Sequence, residues 1–116
     1  MSTSLPRPIP LELAEMIAGR LRAIGDPTRL RLLDALRDGE RSVQELTELL
    51  GAGQQNVSKH LGVLHGAGIV SRRKVGTSVR YAVSDPGVYE LCEQVCGSLQ
   101  AQLAELTALV GGTAAG

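Results

Sequence analysis

The stretch that decides the fold is Ser42–Gly68, SVQELTELLGAGQQNVSKHLGVLHGAG. It begins with a serine followed three residues later by a glutamate, a spacing typical of a capping box at a helix N-terminus. A first apolar run ends at Gly51, and a second run after the GAG segment has Val57, Leu61 and Leu64 on one helical face. The stretch therefore predicts a short capped helix, a tight turn and a second amphipathic helix, which together form a helix-turn-helix.

Two amphipathic helices are predicted upstream of this stretch. The first spans Leu11–Gly25, where apolar residues recur at helical spacing and a glycine marks the end. The second begins at Asp26-Pro27, because aspartate is a good N-cap and proline suits the first helical position. We expect this second helix to run to Gly39.

Downstream of the helix-turn-helix the apolar period changes from that of a helix to that of a strand. The segment IVSRRKVGTSVRYAV, residues 69–83, alternates and is rich in β-branched residues, which predicts a hairpin that reverses at VGTS. Asp85-Pro86 then opens a long last helix, with Asp85 as its cap and an apolar stripe that reaches Val110. The fold class is therefore mainly α, with a small β-hairpin as a wing beside a helix-turn-helix.

The 116 residues suit a single domain, and with no Trp, no Phe and two Tyr the core must be aliphatic. We expect a flexible N-terminal arm over residues 1–10, one domain over residues 11–110 and a flexible tail over residues 111–116. Neither an apolar run suited to a membrane span nor the apolar region of a signal peptide occurs. We therefore expect a cytoplasmic protein that makes no membrane contact.

The formal net charge is zero, but the charged residues are unevenly distributed along the chain. Residues 1–53 carry seven basic and eight acidic side chains, residues 54–84 carry five bases and no acid, and residues 85–116 carry four acids and no base. A wholly basic middle segment suits a polyanionic partner better than an ordinary solvated face.

The second helix of a helix-turn-helix enters the DNA major groove, and its N-terminal residues contact base edges. Here that part of the helix carries no carboxylate. Glutamine and asparagine suit bidentate pairing with adenine, whereas serine and lysine suit phosphates. His60 is predicted to contact phosphate or to pack, because no second metal ligand stands at helical spacing from it. The predicted DNA contacts on this helix are Gln54, Gln55, Asn56, Ser58, Lys59 and His60.

The wing is predicted to add a second set of DNA contacts. Strand alternation sends Arg72 and Lys74 to one face and Arg73 to the other. One face can follow the phosphate backbone while the tip reaches a minor groove. The predicted contacts on the wing are Arg72, Arg73, Lys74, Thr77 and Arg80.

The segments AIGDPTRLRLLDAL, SVQELTELLG and QQNVSKHLGVLHGAGIVSRRKVGTSVRYAV together resemble the ArsR/SmtB family of winged-helix repressors, over roughly residues 11–110. The resemblance implies a homodimer built by the first and last helices, which binds an imperfect inverted repeat in double-stranded DNA until an inducer relieves repression. Two departures stand out. Gly53 replaces the Ser or Thr that often caps the DNA-reading helix. Gly76-Thr77 replaces the Gly-Arg that is common at the wing tip, where the resemblance implies an arginine in the minor groove. We expect Arg80 to take over part of that minor-groove contact.

The resemblance also implies inducer sites, of which two are absent from this sequence. The third helix carries no cysteine, and the last helix carries no histidine. What remains is Cys92 and Cys96 on the last helix, four residues apart. Such a pair has Cβ atoms roughly 5–6 Å apart, too wide for the about 3.8 Å of a disulfide, whereas two thiolates suit a soft ion.

We therefore expect a soft metal or metalloid inducer: mercury(II), arsenite or antimonite, copper(I), or cadmium or zinc with further ligands from the partner helix. A redox or persulfide sensor using the same thiols, two cysteines that only pack, and a repressor without a metal site stay open as alternatives. A winged-helix module that binds proteins rather than DNA is the alternative of another class. An enzyme is not expected, because the sequence has no Ser-His-Asp set, no phosphate loop and no CxxC at a helix start.

Overall fold

The computed structural model describes residues 4–111, which fall into two compact units that meet in sequence between Asp85 and Pro86. The first unit contains α1 (Leu11–Ile24), α2 (Pro27–Ala35), β1 (Arg41–Ser42), α3 (Val43–Leu50), α4 (Gln54–Gly66), β2 (Val70–Val75) and β3 (Ser78–Val83). The second unit contains α5 (Gly87–Gly111). The predicted order of helices and hairpin is confirmed. Among residues 4–111, none of the helices combines the length and the hydropathy that crossing a membrane needs.

The start of α2 follows the sequence prediction, but its end does not. The Asp26 carboxylate accepts hydrogen bonds from the backbone N–H groups of Thr28 and Arg29, at 2.9 and 3.1 Å. The predicted extension to Gly39 is wrong, since the helix ends at Ala35. Beyond it the backbone tightens into turns that bond residues three apart, and Gly39 adopts a φ of 139°, which turns the chain toward β1.

The helix-turn-helix forms as the local signals predict. The Ser42 hydroxyl accepts from the N–H of Glu45 at 3.1 Å, and the Glu45 carboxylate accepts from the N–H of Ser42 at 2.9 Å, which completes the capping box. Gly51 ends α3 in the left-handed conformation, with a φ of 64°. Gly53 then precedes α4 as an N-cap without a side-chain hydrogen bond.

The sheet has three antiparallel strands in the order β1-β3-β2, one more than the predicted hairpin. In the hairpin Val75 pairs with Ser78 around a two-residue turn, in which Gly76 has a φ of 63°. The additional strand β1 is only two residues long, too short for an alternating pattern to reveal it. It pairs with β3 and so fixes the wing to the start of α3.

The core of the first unit is aliphatic, as the composition predicts. Helices α2, α3 and α4, the first residue of β2 and the residue before it contribute its largest fully buried side chains, which are Leu32, Leu33, Leu46, Val57, Leu61, Leu64, Ile69 and Val70. Tyr81 of β3 is the buried aromatic residue in this part of the chain. The buried faces of α2 to α4 therefore determine which side of α4 reaches solvent.

In the second unit, α5 is a continuous helix of 25 residues in which Val88 is the buried side chain. Most of its other apolar side chains are exposed. The predicted N-terminal arm is without helix or strand and exposed over residues 4–10. Residues 1–3 of the arm and residues 112–116 of the predicted tail lie outside the described residues.

Candidate nucleic-acid interface

The buried residues of α4 determine which of its side chains face solvent. Val57, Leu61 and Leu64 have no solvent-exposed surface, which fixes the rotation of the helix about its axis. The first turn of α4 carries no acidic residue, and the N-terminal end of a helix is the positive end of its dipole. The structure places five of the predicted DNA contacts in solvent on this helix: Gln54, Gln55, Asn56, Ser58 and Lys59.

His60, the sixth residue predicted for α4, lies on another side of the helix. Its side chain is only 13% exposed, and its Nδ1 is 2.9 Å from a guanidinium nitrogen of Arg29 and 3.7 Å from a carboxylate oxygen of Asp26. Because a guanidinium only donates, Nδ1 accepts this hydrogen bond and the ring proton is placed on Nε2. Of the two roles predicted for His60, phosphate contact or packing, the geometry favours packing against α2.

Arg29 connects α4 to α1 as well as to α2. Its guanidinium donates to the carbonyl oxygens of Ala23 and Arg22, at 2.5 and 3.2 Å, in addition to His60. The hydrogen bond from the Arg29 N–H is the main cause that lowers the pKa of Asp26, and the charge of Arg29 and the hydrogen bond from the Thr28 N–H add to it. No local pattern in the sequence predicts these contacts, because Arg29 and His60 lie 31 residues apart.

The wing has two faces, as strand alternation predicts. Arg72 pairs with Tyr81 and Lys74 with Val79, so these four side chains share one face of the hairpin. Both basic side chains are exposed, and neither makes an ion pair within residues 4–111. They are therefore available to an external anion.

The opposite face of the wing carries Arg73 and Arg80, which pair across the strands. The Glu40 carboxylate accepts two hydrogen bonds from the Arg73 guanidinium, at 2.7 and 2.9 Å, and one from Nε of Arg80 at 2.9 Å. We call Glu40, Arg73 and Arg80 the wing clamp. The Arg73 hydrogen bond is the main cause that lowers the pKa of Glu40, and the carboxylate in turn raises the pKa of Arg73.

Arg80 is held by more than Glu40 alone. Its side chain is 30% exposed, its Nη2 lies 3.3 Å from Oε1 of Glu45, and the same nitrogen donates to the Glu40 carbonyl at 3.3 Å. Glu45 also belongs to the capping box, and the Ser42 N–H is the main cause that lowers its pKa. The structure thus places two predicted DNA contacts, Arg73 and Arg80, in internal ion pairs, whereas Thr77 lies exposed at the wing tip.

The two thiols lie one helical turn apart on α5. Cys92 is half-buried, Cys96 is exposed, and both are free. Among residues 4–111 no group of three or more His, Cys, Asp or Glu side chains converges as a metal site. Two sulfur donors at this spacing fit a soft ion of low coordination number. Asp85, the predicted cap of this helix, directs its carboxylate to the Arg20 guanidinium at 2.5 Å.

Known proteins share both the sequence and this architecture. Residues 26–72 match the family described as "Bacterial regulatory protein, arsR family". A probable mercury resistance operon repressor of Streptomyces lividans is 42% identical over 83 residues, which are 72% of this chain and 66% of that protein. The transcriptional regulator NmtR of Mycobacterium tuberculosis is 34% identical over 87 residues, 75% of this chain and 72% of that protein.

A solved structure extends the likeness to nearly the whole fold. It is the homodimeric winged helix-turn-helix DNA-binding domain of a "possible ArsR-family transcriptional regulator" from Mycobacterium bovis, with 27% identity and a TM-score of 0.71. The match covers 90% of this chain and 95% of that one. The chain spans just under two thirds of the length of the Streptomyces relative.

These matches confirm the winged helix-turn-helix, and a family of regulatory proteins agrees with the expectation that the chain is not an enzyme. The resemblance drawn from the sequence is thereby confirmed. The chain belongs to the ArsR family of bacterial regulatory proteins.

Proposed function

We propose that this protein is a dimeric transcriptional repressor that binds an inverted-repeat operator in double-stranded DNA through α4 and the wing. The observation that carries the proposal is the exposed N-terminal half of α4, which is polar and basic and has no carboxylate in its first turn. A groove-reading helix must approach a polyanion, so an acid-free polar face is what this function needs. A cytoplasmic location goes with this function and stays a prediction.

Within this proposal the residues of α4 and the wing have different roles. Gln54, Gln55 and Asn56 present amides that suit base edges, adenine above all. Ser58 and Lys59 follow them on the same exposed side of the helix and suit phosphates. On the wing, the exposed residues free of ion pairs within residues 4–111 suit phosphates or the minor groove, and these are Arg72, Lys74 and Thr77.

Dimerisation is proposed from exposed apolar surface on two helices. Helix α1 exposes Leu11, Met16 and Leu21, and α5 exposes Leu91, Val95, Leu99, Leu103, Leu106, Leu109 and Val110. Exposed apolar surface of this extent is typical of a protein interface. The M. bovis relative is homodimeric, which supports the same state here. A dimer would present two copies of α4 to half-sites one DNA turn apart, roughly 34–36 Å.

The test is the affinity for duplex DNA as a function of salt. We expect the full-length protein to bind a duplex from the promoter region of its own operon, with an affinity that falls linearly on a log-log plot as salt rises. Lys59→Gln should reduce the slope by about 0.9, the value for one lost phosphate contact. If no duplex binds with such a salt dependence, a winged-helix module that contacts proteins becomes the better description.

We further propose that Cys92 and Cys96 bind the inducer, a thiophilic metal or metalloid ion. Soft thiolates select soft ions such as mercury(II), arsenite, antimonite or copper(I), and two sulfurs suffice where the coordination number is low. The Streptomyces relative is described as a mercury resistance operon repressor, which supports mercury among these candidates. Cadmium or zinc would need additional ligands from the partner subunit.

This second proposal is tested by titrating the protein–DNA complex with each ion. We expect one soft ion to release DNA, with a sulfur-to-metal charge-transfer absorption that appears in parallel. Cys92→Ser with Cys96→Ser should abolish both effects and leave DNA affinity without metal unchanged. If an oxidant or a persulfide donor releases DNA through the same thiols and metals do not, the thiols form a redox sensor. If the double variant is still released normally by the ion, the thiols only pack.

A further inference from the structure

The two faces of the wing differ in how their cations are engaged. Arg72 and Lys74 are exposed and make no ion pair within residues 4–111. Arg73 and Arg80, on the other face, both contact the single carboxylate of Glu40. Of the four cationic side chains of the wing, two are therefore held in internal ion pairs and two are free of ion pairs within residues 4–111.

The placement of Glu40 makes this arrangement specific. Glu40 stands directly before β1, and β1 pairs with β3, so the carboxylate reaches across β3 to β2. It contacts Arg73 through both of its oxygens, a bidentate geometry that is among the stronger forms of a charge-assisted hydrogen bond. Its side chain is 27% exposed, whereas that of Arg73 is 66% exposed, so the carboxylate is the more enclosed partner.

We propose that Glu40 is a positioning residue for DNA binding, which keeps Arg73 and Arg80 away from phosphate and leaves Arg72 and Lys74 as the cations of the wing that contact DNA. The proposal rests on the DNA-binding function proposed above. A guanidinium that is bound by a carboxylate must break those hydrogen bonds before it binds a phosphate. The clamp therefore lowers the contribution of Arg73 and Arg80 to DNA affinity.

Two consequences for DNA binding follow. The clamp limits the sequence-independent part of the affinity, because that part grows with the number of phosphates neutralised. It also restrains the hairpin against the start of α3, since Glu40 joins Arg73 of β2 to Arg80 of β3 and Arg80 contacts Glu45 of the capping box. The wing then contributes few but well-placed contacts, which favours discrimination between operator and other DNA.

The central experiment compares Glu40→Gln with Glu48→Gln in the full-length protein. Glu48 is an exposed acid on α3, so both variants gain one unit of positive charge. We expect E40Q to steepen the salt dependence of binding to a non-operator duplex by about 0.9 to 1.8, one or two additional phosphate contacts. We expect its operator-to-non-operator affinity ratio to fall several-fold, while E48Q leaves the slope unchanged. Equal slopes for the two variants would overturn the proposal.

A second comparison tests the arginines directly. Arg72→Gln should lose about 0.9 of the slope, the value for one phosphate contact, whereas Arg73→Gln should leave the slope as in the wild type. In the double variant E40Q/R73Q the slope should fall below that of E40Q alone, because one of the released guanidiniums is gone. An equal loss in R72Q and R73Q would mean that Arg73 exchanges Glu40 for phosphate, and would overturn the inference.

Nitrogen-15 NMR of the arginine Nε–H groups reads the clamp without reference to DNA. We expect the signals of Arg73 and Arg80 to be protected from solvent exchange in the wild type and in E48Q, and exposed in folded E40Q. Unprotected signals in the wild type would overturn the inference. If the wild type binds no duplex, the proposed DNA-binding function is wrong. Protected arginine signals in the same protein would then show that the wing clamp nevertheless forms.

Discussion

The exposed face of α4 and the wing are both basic and free of acid in the sequence, yet the structure treats their charges differently. The polar residues of α4 from Gln54 to Lys59 reach solvent on a helix whose rotation is fixed by three buried aliphatic residues. The wing, by contrast, has half of its cations bound to Glu40, an acid that lies outside the basic segment. The number of basic residues in a segment is therefore larger than the number of cationic side chains that are available to a binding partner.

Different interactions hold α4 and the wing in place. Helix α4 is positioned by apolar burial and by the contact of His60 with Arg29 and Asp26. The wing is positioned by strand pairing and by partly exposed ion pairs. Because exposed ion pairs contribute little to stability, whereas a buried leucine contributes much, we expect changes to the two regions to differ in size and in kind.

The largest expected effect comes from Leu61→Ala in α4. Leu61 is fully buried, so truncation should reduce the free energy of unfolding by about 2–5 kcal/mol, through lost transfer free energy and a cavity. Val63→Ala, at a position of the same helix that is 39% exposed, is the matched control and should cost far less. Denaturant titration of both variants checks this. A similar loss in the two would mean that apolar burial does not hold α4 in place.

The next effect is one of specificity rather than stability. Asn56→Ala should remove a bidentate base contact worth roughly 1–3 kcal/mol, about five- to 150-fold in affinity for the operator. Its affinity for non-operator DNA should hardly change, because no phosphate contact is lost. Lys74→Gln on the wing should instead weaken both duplexes and reduce the salt slope. If N56A and K74Q each lost affinity for operator and non-operator DNA in the same proportion, the predicted division between base contacts on α4 and phosphate contacts on the wing would be wrong.

The sequence predicted those parts of the fold that depend on contacts between residues close in the chain. Asp26 caps α2, Ser42 and Glu45 form the capping box, and Gly51 ends α3 in a left-handed conformation, each within a few residues of the group that it satisfies. The period of the apolar residues then predicted the buried face of α4. Such signals survive in a single sequence because both partners lie in the same short segment.

The parts that were missed depend on contacts between distant segments. Strand β1 is defined by its pairing with β3 rather than by a pattern of its own. Glu40 meets Arg73 and Arg80 across 33 and 40 residues, so nothing near Glu40 marks it as a partner of the wing. For the same reason all three cations of β2 were predicted to contact DNA, where the structure has two that are free of ion pairs within residues 4–111 and one that is bound by Glu40.

The smallest expected effect is a pH dependence that belongs to the wing clamp. The pKa of Glu40 lies below its ordinary value of 4.5 in the folded protein, so the folded state holds the proton less tightly than the unfolded state. The stability that this carboxylate contributes is fully present above pH 4.5 and is lost as the pH falls through the lowered pKa. The thermal midpoint of the wild type should therefore exceed that of Glu40→Gln near neutral pH, and the difference should vanish in acid.

Calorimetry of the wild type, E40Q and E48Q from neutral pH to about pH 3 measures this difference, in the acid range where carboxylates titrate. Glu48→Gln is the control, since its carboxylate is exposed on α3. Raising the salt concentration should reduce the difference between wild type and E40Q, because the clamp is partly exposed and therefore screened. A difference that persists unchanged in acid would show that Glu40 acts through packing rather than charge, and the wing would then be held in the same manner as α4.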